Sequence, residues 1–247
     1  MDYALRSVGL SFQDGHHLHA HSHPWGQLIF AATGTMRVDA AEALWLVPPG
    51  RALWAPPEVR HGIEMRGTVA MRTIYVPPTR AARLPEQCRA VEVDALLRAL
   101  ILHIVERGLL REDAEADARL AGVFLDRLEA APRLLLDLKL PSDARLRASA
   151  ERMWRAPGAV LDLATLARRT RLSARTVQRI FLAETGMRFV EWRQRLRLIH
   201  AITALNAGVS VTAAAAEAGY ASASAFTAAF RAQLGETPSG FVRGGGA

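Results

Sequence analysis

One pattern of small, polar and aromatic residues occurs twice in the last hundred residues of this 247-residue chain, offset by 49 positions. Ala167, Ser173, Val177, Phe181, Gly186 and Trp192 fall opposite Ala216, Ser222, Phe226, Phe230, Gly235 and Phe241. Like residues at turn, cap and core positions predict two small helical units of one design. In the first, Asp162 caps a helix over 163–170. Ser173 caps a second over 174–184, and Gly186 ends it. Ser210 and Ser222 are the matching caps of the second unit, with Gly219 in its turn. Small residues at Ala167 and Ala216 let paired helices approach, and Phe181 and Phe230 fill the cores. Residues 189–207 read as one joining helix, roughly 28 Å long, with Trp192, Leu196, Ile199, Ile202 and Leu205 inward. That length suits two recognition helices held about one DNA turn, roughly 34 Å, apart.

Charge points the same way. The net charge is +7, and from Ser142 onward there are 15 Arg against 7 acidic residues. The preceding part is near balance, with 16 basic and 17 acidic residues. All the excess positive charge therefore lies on the part that carries the repeat, as phosphate-backbone binding requires. Cys88 is the only cysteine, which excludes an intramolecular disulfide and suits a reducing compartment. No charged leader followed by an apolar run is present, and the run 99–105 is far too short to span a bilayer. The expectation is a soluble, cytoplasmic protein that does not engage a membrane.

Residues 10–78 read as β structure, with alternating runs at 35–38, 43–47 and 69–76 punctuated by Pro48-Pro49-Gly50 and Pro56-Pro57. Short strands at this spacing suggest a small barrel or sandwich. Near residue 92 the period changes. Val93, Leu96, Leu97, Leu100, Ile101 and Ile104 form one helical stripe, and Leu120, Val123, Phe124 and Leu128 another. Two roles fit these helices: a connecting or dimer-forming layer, or a cover for the barrel. Residues 132–141 look like an extended linker, and the remainder is helical.

The second repeat resembles the AraC/XylS family of transcriptional regulators. The resemblance is carried by Gly219-Tyr220-x-Ser222-x-Ser224-x-Phe226-x-x-Ala229-Phe230 and Gly235-x-Thr237-Pro238-x-x-Phe241. The upstream run Leu172-Ser173-x-Arg175-x-Val177-Gln178-Arg179-x-Phe181 and Glu184-Thr185-Gly186 agrees with it. The resemblance implies recognition helices in adjacent major grooves, with Ser173, Arg175, Gln178, Arg179, Ser222 and Ser224 at the DNA. Arg can pair bidentately with guanine and Gln with adenine. In the second helix the contact positions hold Ala223, Ser224, Ala225 and Ala228, which cannot make bidentate contacts. The first unit is therefore expected to discriminate sequence and the second to dock.

At the other end, His21-x-His23-x-x-x-Gln27-x-x-x-x-x-x-Gly34 and Pro56-x-Glu58-x-x-His61 resemble the two cupin motifs, with Gln27 in place of a Glu and Glu58 in place of a Gly. On a strand, His17, His19, His21 and His23 would share one face. The resemblance implies a divalent metal at His21, His23, Gln27 and His61. The competing expectation is an organic-effector pocket walled by Trp25, Gln27, Trp54 and Tyr75. His16 and His17 fit an exposed strand edge, and His103 and His200 fit structural positions within helices.

The expected fold is thus α+β in two domains. Residues 1–90 form a cupin-like β-barrel sensor, 91–141 a helical connector with a dimerising role, and 142–247 an all-α double helix-turn-helix domain. The expected function is a non-enzymatic, sequence-specific regulator that activates or represses a nearby transporter or catabolic gene. Its expected partners are double-stranded DNA, a small-molecule effector, RNA polymerase and a second copy of itself. Two alternatives stand beside it: a metal-dependent cupin enzyme fused to a DNA-binding domain, and a ligand-independent DNA-binding regulator.

Overall fold

A computed structural model describes residues 3–156 and 161–246. The chain divides into two compact units, the first built from residues up to Leu136 and the second from Asp137 to Ser239, apart from short marginal segments.

The first unit is an antiparallel sheet. It comprises β1 (Tyr3–Phe12), β2 (His17–His21), β3 (Gly26–Ala40), β4 (Ala43–Val47), β5 (Arg51–Ala55), β6 (His61–Val76), β7 (Arg89–Glu92), β8 (Leu109–Arg111) and β9 (Arg133–Leu134). The hydrogen-bonded path runs β8-β1-β6-β3-β5-β7-β9, with β2 also on β6 and β4 on β3. The long strands β3 and β6 pair over 26–31 with 71–76 and again over 35–40 with 61–66, and the register shifts between. Gly34 lies at that break with φ +70°, and a Cβ there would sit 2.6 Å from Thr68 O. Only glycine fits this bend.

Strand alternation sorts the side chains to two faces. Leu28, Phe30, Trp54, Ile74 and Val76 pack into one core with Leu97, Ile101 and Ile104 of α2 (Ala95–Arg107) and Phe124, Leu125 and Leu128 of α3 (Glu115–Ala130). The two apolar stripes therefore cover the sheet, and most of the segment expected as a connector belongs to the first unit. The stripes are narrower than the sequence suggests: Leu96 and Val123 are half exposed. Asp94 caps α2 by accepting from Leu97 N at 2.8 Å, and Gly108 ends it at φ +74°. A short helix, α1 (Pro78–Ala81), follows β6.

The stretch expected as an extended linker is partly a sheet edge. Leu134 pairs with Ala90 and Arg133 with Val91. Leu134, Leu136, Leu138 and Leu140 are all buried. Their spacing of two is a strand signal lying in a segment bounded by prolines.

The second unit opens with β10 (Asp137–Lys139) and continues as α4 (Ala144–Arg155), α5 (Leu163–Thr170), α6 (Ala174–Thr185), α7 (Phe189–Asn206), α8 (Val211–Glu217), α9 (Ala223–Leu234) and α10 (Pro238–Gly246). Asp162, Ser173, Ser210 and Ser222 cap α5, α6, α8 and α9, each accepting from the main-chain N–H three residues on. Each such cap is worth about 1 kcal/mol. Trp192, Leu196, Ile199, Ile202 and Leu205 are all buried on α7. Phe181 meets Phe189 and Trp192 edge-on at 5.0 and 5.5 Å, and Phe230 meets Phe226 at 5.6 Å.

The duplication is not uniform in register. Helix caps Asp162 and Ser210 are 48 apart, whereas Ser173 and Ser222 are 49 apart. Leu172 N bonds Ala167 O and Tyr220 N bonds Ala215 O, both at 3.0 Å. Ala215 is therefore the counterpart of Ala167 and is buried, while Ala216 is exposed. The expected close approach at Ala216 is corrected by one residue. Ala221, inserted between the left-handed turn position and the cap, accounts for the slip.

Candidate nucleic-acid interface and sensor pocket

Helix α6 presents its outer face through a fixed frame. Val177 and Phe181 are buried below, and Arg175 and Arg179 are exposed one turn apart. Among the described residues neither guanidinium has a hydrogen-bonding or ion-pairing partner, which leaves both forks free for a guanine edge or phosphates. Gln178 is placed differently. It is half-buried, and its Oε1 accepts from Phe189 N at 3.2 Å. A bidentate adenine contact uses that same oxygen, so the bond to Phe189 N constrains how the amide can turn toward a base. The hydroxyls of Ser173 and Ser222 are engaged as caps, accepting from Thr176 N at 3.0 Å and Ala225 N at 3.1 Å. Ser224 is exposed on α9, among Ala223, Thr227 and Ala228.

The arginines of α7 lie outside the repeated pattern. Arg193 and Arg197 are one turn apart on that helix. The Arg193 guanidinium is held below its usual pKa by burial and by the charge of Arg197, with Asp162 opposing. Arg197 lies against the turn at Gly219, where a Cβ would meet its Cζ at 3.1 Å. The phenol of Tyr220, beside this turn, is raised by burial, with Arg197 opposing.

In the first unit, three imidazoles converge. Ring centroids are 4.7 Å apart for His21 and His61, 5.2 Å for His23 and His61, and 5.8 Å for His21 and His23. His17 and His19 do not join them. The register of β2 shifts between Leu18 and His21, and the strand ends at His21, so strict alternation stops there. His61 is fully buried and its pKa is lowered, first by burial and then by the charges of His21 and His23, against a bond to Val59 O.

Gln27 and Thr73 close the pocket. Gln27 Nε2 donates to Thr73 Oγ1 at 2.8 Å, and Thr73 Oγ1 donates to Leu28 O at 3.0 Å. Because the carbonyl can only accept, this chain orients the amide and aims Oε1 at His23 Nε2, 3.0 Å away. Thr73 was not expected from sequence, since a threonine inside a strand carries no distinguishing signal. Tyr75 stands edge-on to His23 at 5.4 Å, its phenol raised by burial with Arg6 opposing. Trp25 stacks on Tyr3 at 4.7 Å.

Trp54 does not line this pocket. Gln27 pairs with Ala55 and Leu28 with Trp54, so alternation puts Trp54 on the face covered by α2 and α3. Its ring fills the space a Cβ on Gly26 would take, and its Nε1 donates to Pro85 O at 2.9 Å. Glu58, where the cupin motif has Gly, adopts φ +63°, the conformation that favours glycine. Of the two histidines expected to be structural, His200 is buried against Trp154 O at 3.0 Å, but His103 is exposed.

The donor set fits a borderline divalent cation. One ligand atom from each of His21, His23 and His61 lies within 4.8 Å of the others. Nitrogen ligands of one ion are roughly 3 Å apart, and His21 is the exposed member of the three. Three imidazoles with an amide oxygen suit Zn, Ni or Cu better than Mg or Ca.

A helix-turn-helix domain family matches residues 166–244, and an AraC-like ligand binding domain family matches residues 8–124. The HTH-type transcriptional regulator NimR of Escherichia coli (strain K12) is 32% identical over 222 residues, spanning 90% of this chain and 81% of that protein. The HTH-type transcriptional regulator RipA of Corynebacterium glutamicum is 28% identical over 218 residues, 88% of this chain but 62% of its own length. Among solved structures, ToxT from Vibrio cholerae is 11% identical, with 98% of each chain covered and a TM-score of 0.41. No helix among the described residues is long and apolar enough to cross a membrane.

Proposed function

The chain belongs to the AraC family of HTH-type transcriptional regulators, and from that premise we propose how its two reading units divide their work. The first helix-turn-helix copy reads bases through Arg175 and Arg179, while the second copy docks on the backbone around Ser224. The observation that carries this is the pair of partnerless guanidiniums on α6 against the Ala and Ser side chains on α9. Gln178 supports the reading helix from behind, and Ser173 and Ser222 set the ends of the two helices at the duplex. The pocket at His21, His23, Gln27, His61, Tyr75 and Trp25 takes the effector. Effector binding regulates by favouring one arrangement of the protein.

The protein acts as a homodimer on the promoter of a nearby transporter or catabolic gene, in the cytoplasm and in contact with RNA polymerase. It performs no catalysis. Support for these finer statements comes from the family and from relatives named as transcriptional regulators. The residues up to about 136 serve as the sensor and those from 142 as the DNA-binding part.

The deciding experiment is a binding titration on the DNA upstream of its gene. Arg179→Ala should cost about 1–3 kcal/mol and relax preference at one base position. Ser224→Ala should change affinity by less than about 0.5 kcal/mol. The reverse outcome overturns the division of labour.

A further inference from the structure

The hydrogen-bond pattern of the histidine pocket points to one class of occupant. Each imidazole sets Nδ1 against a main-chain carbonyl: His19 O at 2.8 Å, Trp25 O at 2.9 Å and Val59 O at 2.8 Å. A carbonyl only accepts, so Nδ1 carries a proton in each ring and Nε2 is the ring nitrogen left to take a ligand. His61 Nε2 is buried without a partner among the described residues. His23 Nε2 faces Gln27 Oε1, which the Thr73 hydroxyl forces to be an acceptor as well. Three ring nitrogens and one amide oxygen thus surround a small volume, and the nearby Tyr75 hydroxyl still leaves His61 Nε2 without a partner among the described residues. A cation supplies what is missing.

Resting on the sensor role above, we propose that Gln27 makes this pocket a receptor for a small anion. His21, His23 and His61 hold a divalent first-row ion through Nε2, and the neutral amide of Gln27 leaves the ion's charge uncompensated. Among the described residues no carboxylate joins the cluster. Arg6, paired with Tyr75 across β1 and β6, adds charge of the same sign. A site of neutral donors in a half-buried pocket attracts an anionic ligand far more strongly than a neutral apolar one. Thr73 keeps position 27 in this state. Its proton is committed to Leu28 O, so its oxygen accepts from an amide and repels a carboxylate.

The test uses the full chain dialysed free of metal. It is then loaded with Co2+, whose visible absorption reports coordination, with azide as the anion probe. The wild type should take up one Co2+ per chain, and azide should shift its bands. Gln27→Glu should hold Co2+ at least as tightly yet need at least about tenfold more azide. His61→Ala and the exposed His21→Ala should lose Co2+ uptake with unchanged circular dichroism. Equal Co2+ uptake by wild type and both histidine variants overturns the proposal, as does an equal azide response in wild type and Gln27→Glu. Binding of the same preparations to the upstream DNA is measured in parallel. DNA binding without Co2+ uptake overturns this proposal and leaves the regulator role standing, whereas loss of DNA binding in every condition overturns the regulator role itself.

Discussion

The side-chain oxygen of Gln178 accepts a hydrogen bond from the main-chain N–H of Phe189 at 3.2 Å, tying the middle of α6 to the first turn of α7. The N–H groups of a helix's first turn have no partner within the helix. Gln178 supplies one, and so fixes the angle at which α6 leaves the body of the unit. Gln178→Ala should therefore lower stability by about 1 kcal/mol and weaken operator binding evenly across base substitutions. Titration against a set of single-base operator variants checks this, and a selective loss of preference at one A·T pair would refute it.

Arg171 and Gly219 hold the same left-handed turn position in the two helix-turn-helix copies, at φ +55° and +73°. A non-glycine residue there costs about 1 kcal/mol. Arg171→Gly should raise the thermal midpoint, with a gain of up to about 1 kcal/mol. Gly219→Ala should lower it, because the new Cβ is both strained and 3.1 Å from the Arg197 guanidinium carbon. Denaturant midpoints that moved in the opposite directions would count against the equivalence of the two turns.

Trp54 is a core residue under α2 and α3, in a different place from the effector pocket. Trp54→Ala should destabilise the protein by about 3–5 kcal/mol. The milder Trp54→Phe should keep the fold and leave any effector response unchanged, as read by DNA binding with and without effector. A change in effector affinity without a change in stability would return Trp54 to the pocket wall.

Acid should loosen the helix starts. Asp94 and Asp162 are held below the ordinary carboxylate value near 3.8, chiefly by main-chain N–H donors, and Asp143 chiefly by Arg145. A carboxylate lowered in the folded state stabilises above its unfolded pKa and loses that contribution as pH falls through its folded value. The thermal midpoint should stay level from pH 7 to about 5 and fall below about 4. Replacing all three by Asn, which caps as well but does not titrate, should flatten that fall. Identical acid profiles for the two proteins would rule the caps out as its source.

Much of the second unit was legible because its signals are local. Asp162, Ser173, Ser210 and Ser222 each act on an N–H three residues away, and Phe181, Trp192 and Phe230 lie on faces set by the helical period. The one-residue slip at Ala221 escaped notice because a repeat aligned on its stronger second helix hides an insertion in the turn. In the first unit the strands were legible from alternation and the histidines from their spacing. The edge strand at Arg133–Leu134 was not, because pairing with Ala90 and Val91 is a distant event.

The duplicated helix-turn-helix, the concentration of positive charge from Ser142 onward and the histidines at 21, 23 and 61 follow from sequence alone, since each rests on near neighbours or on composition. Three things only the tertiary structure decided. It placed Trp54 and Gln27 on opposite faces of the sheet, turned Gln178 toward Phe189, and locked the Gln27 amide through Thr73. Each depends on partners 11 to 46 residues apart, and a contact across that distance is set by how strands pair and helices pack, which no local pattern encodes.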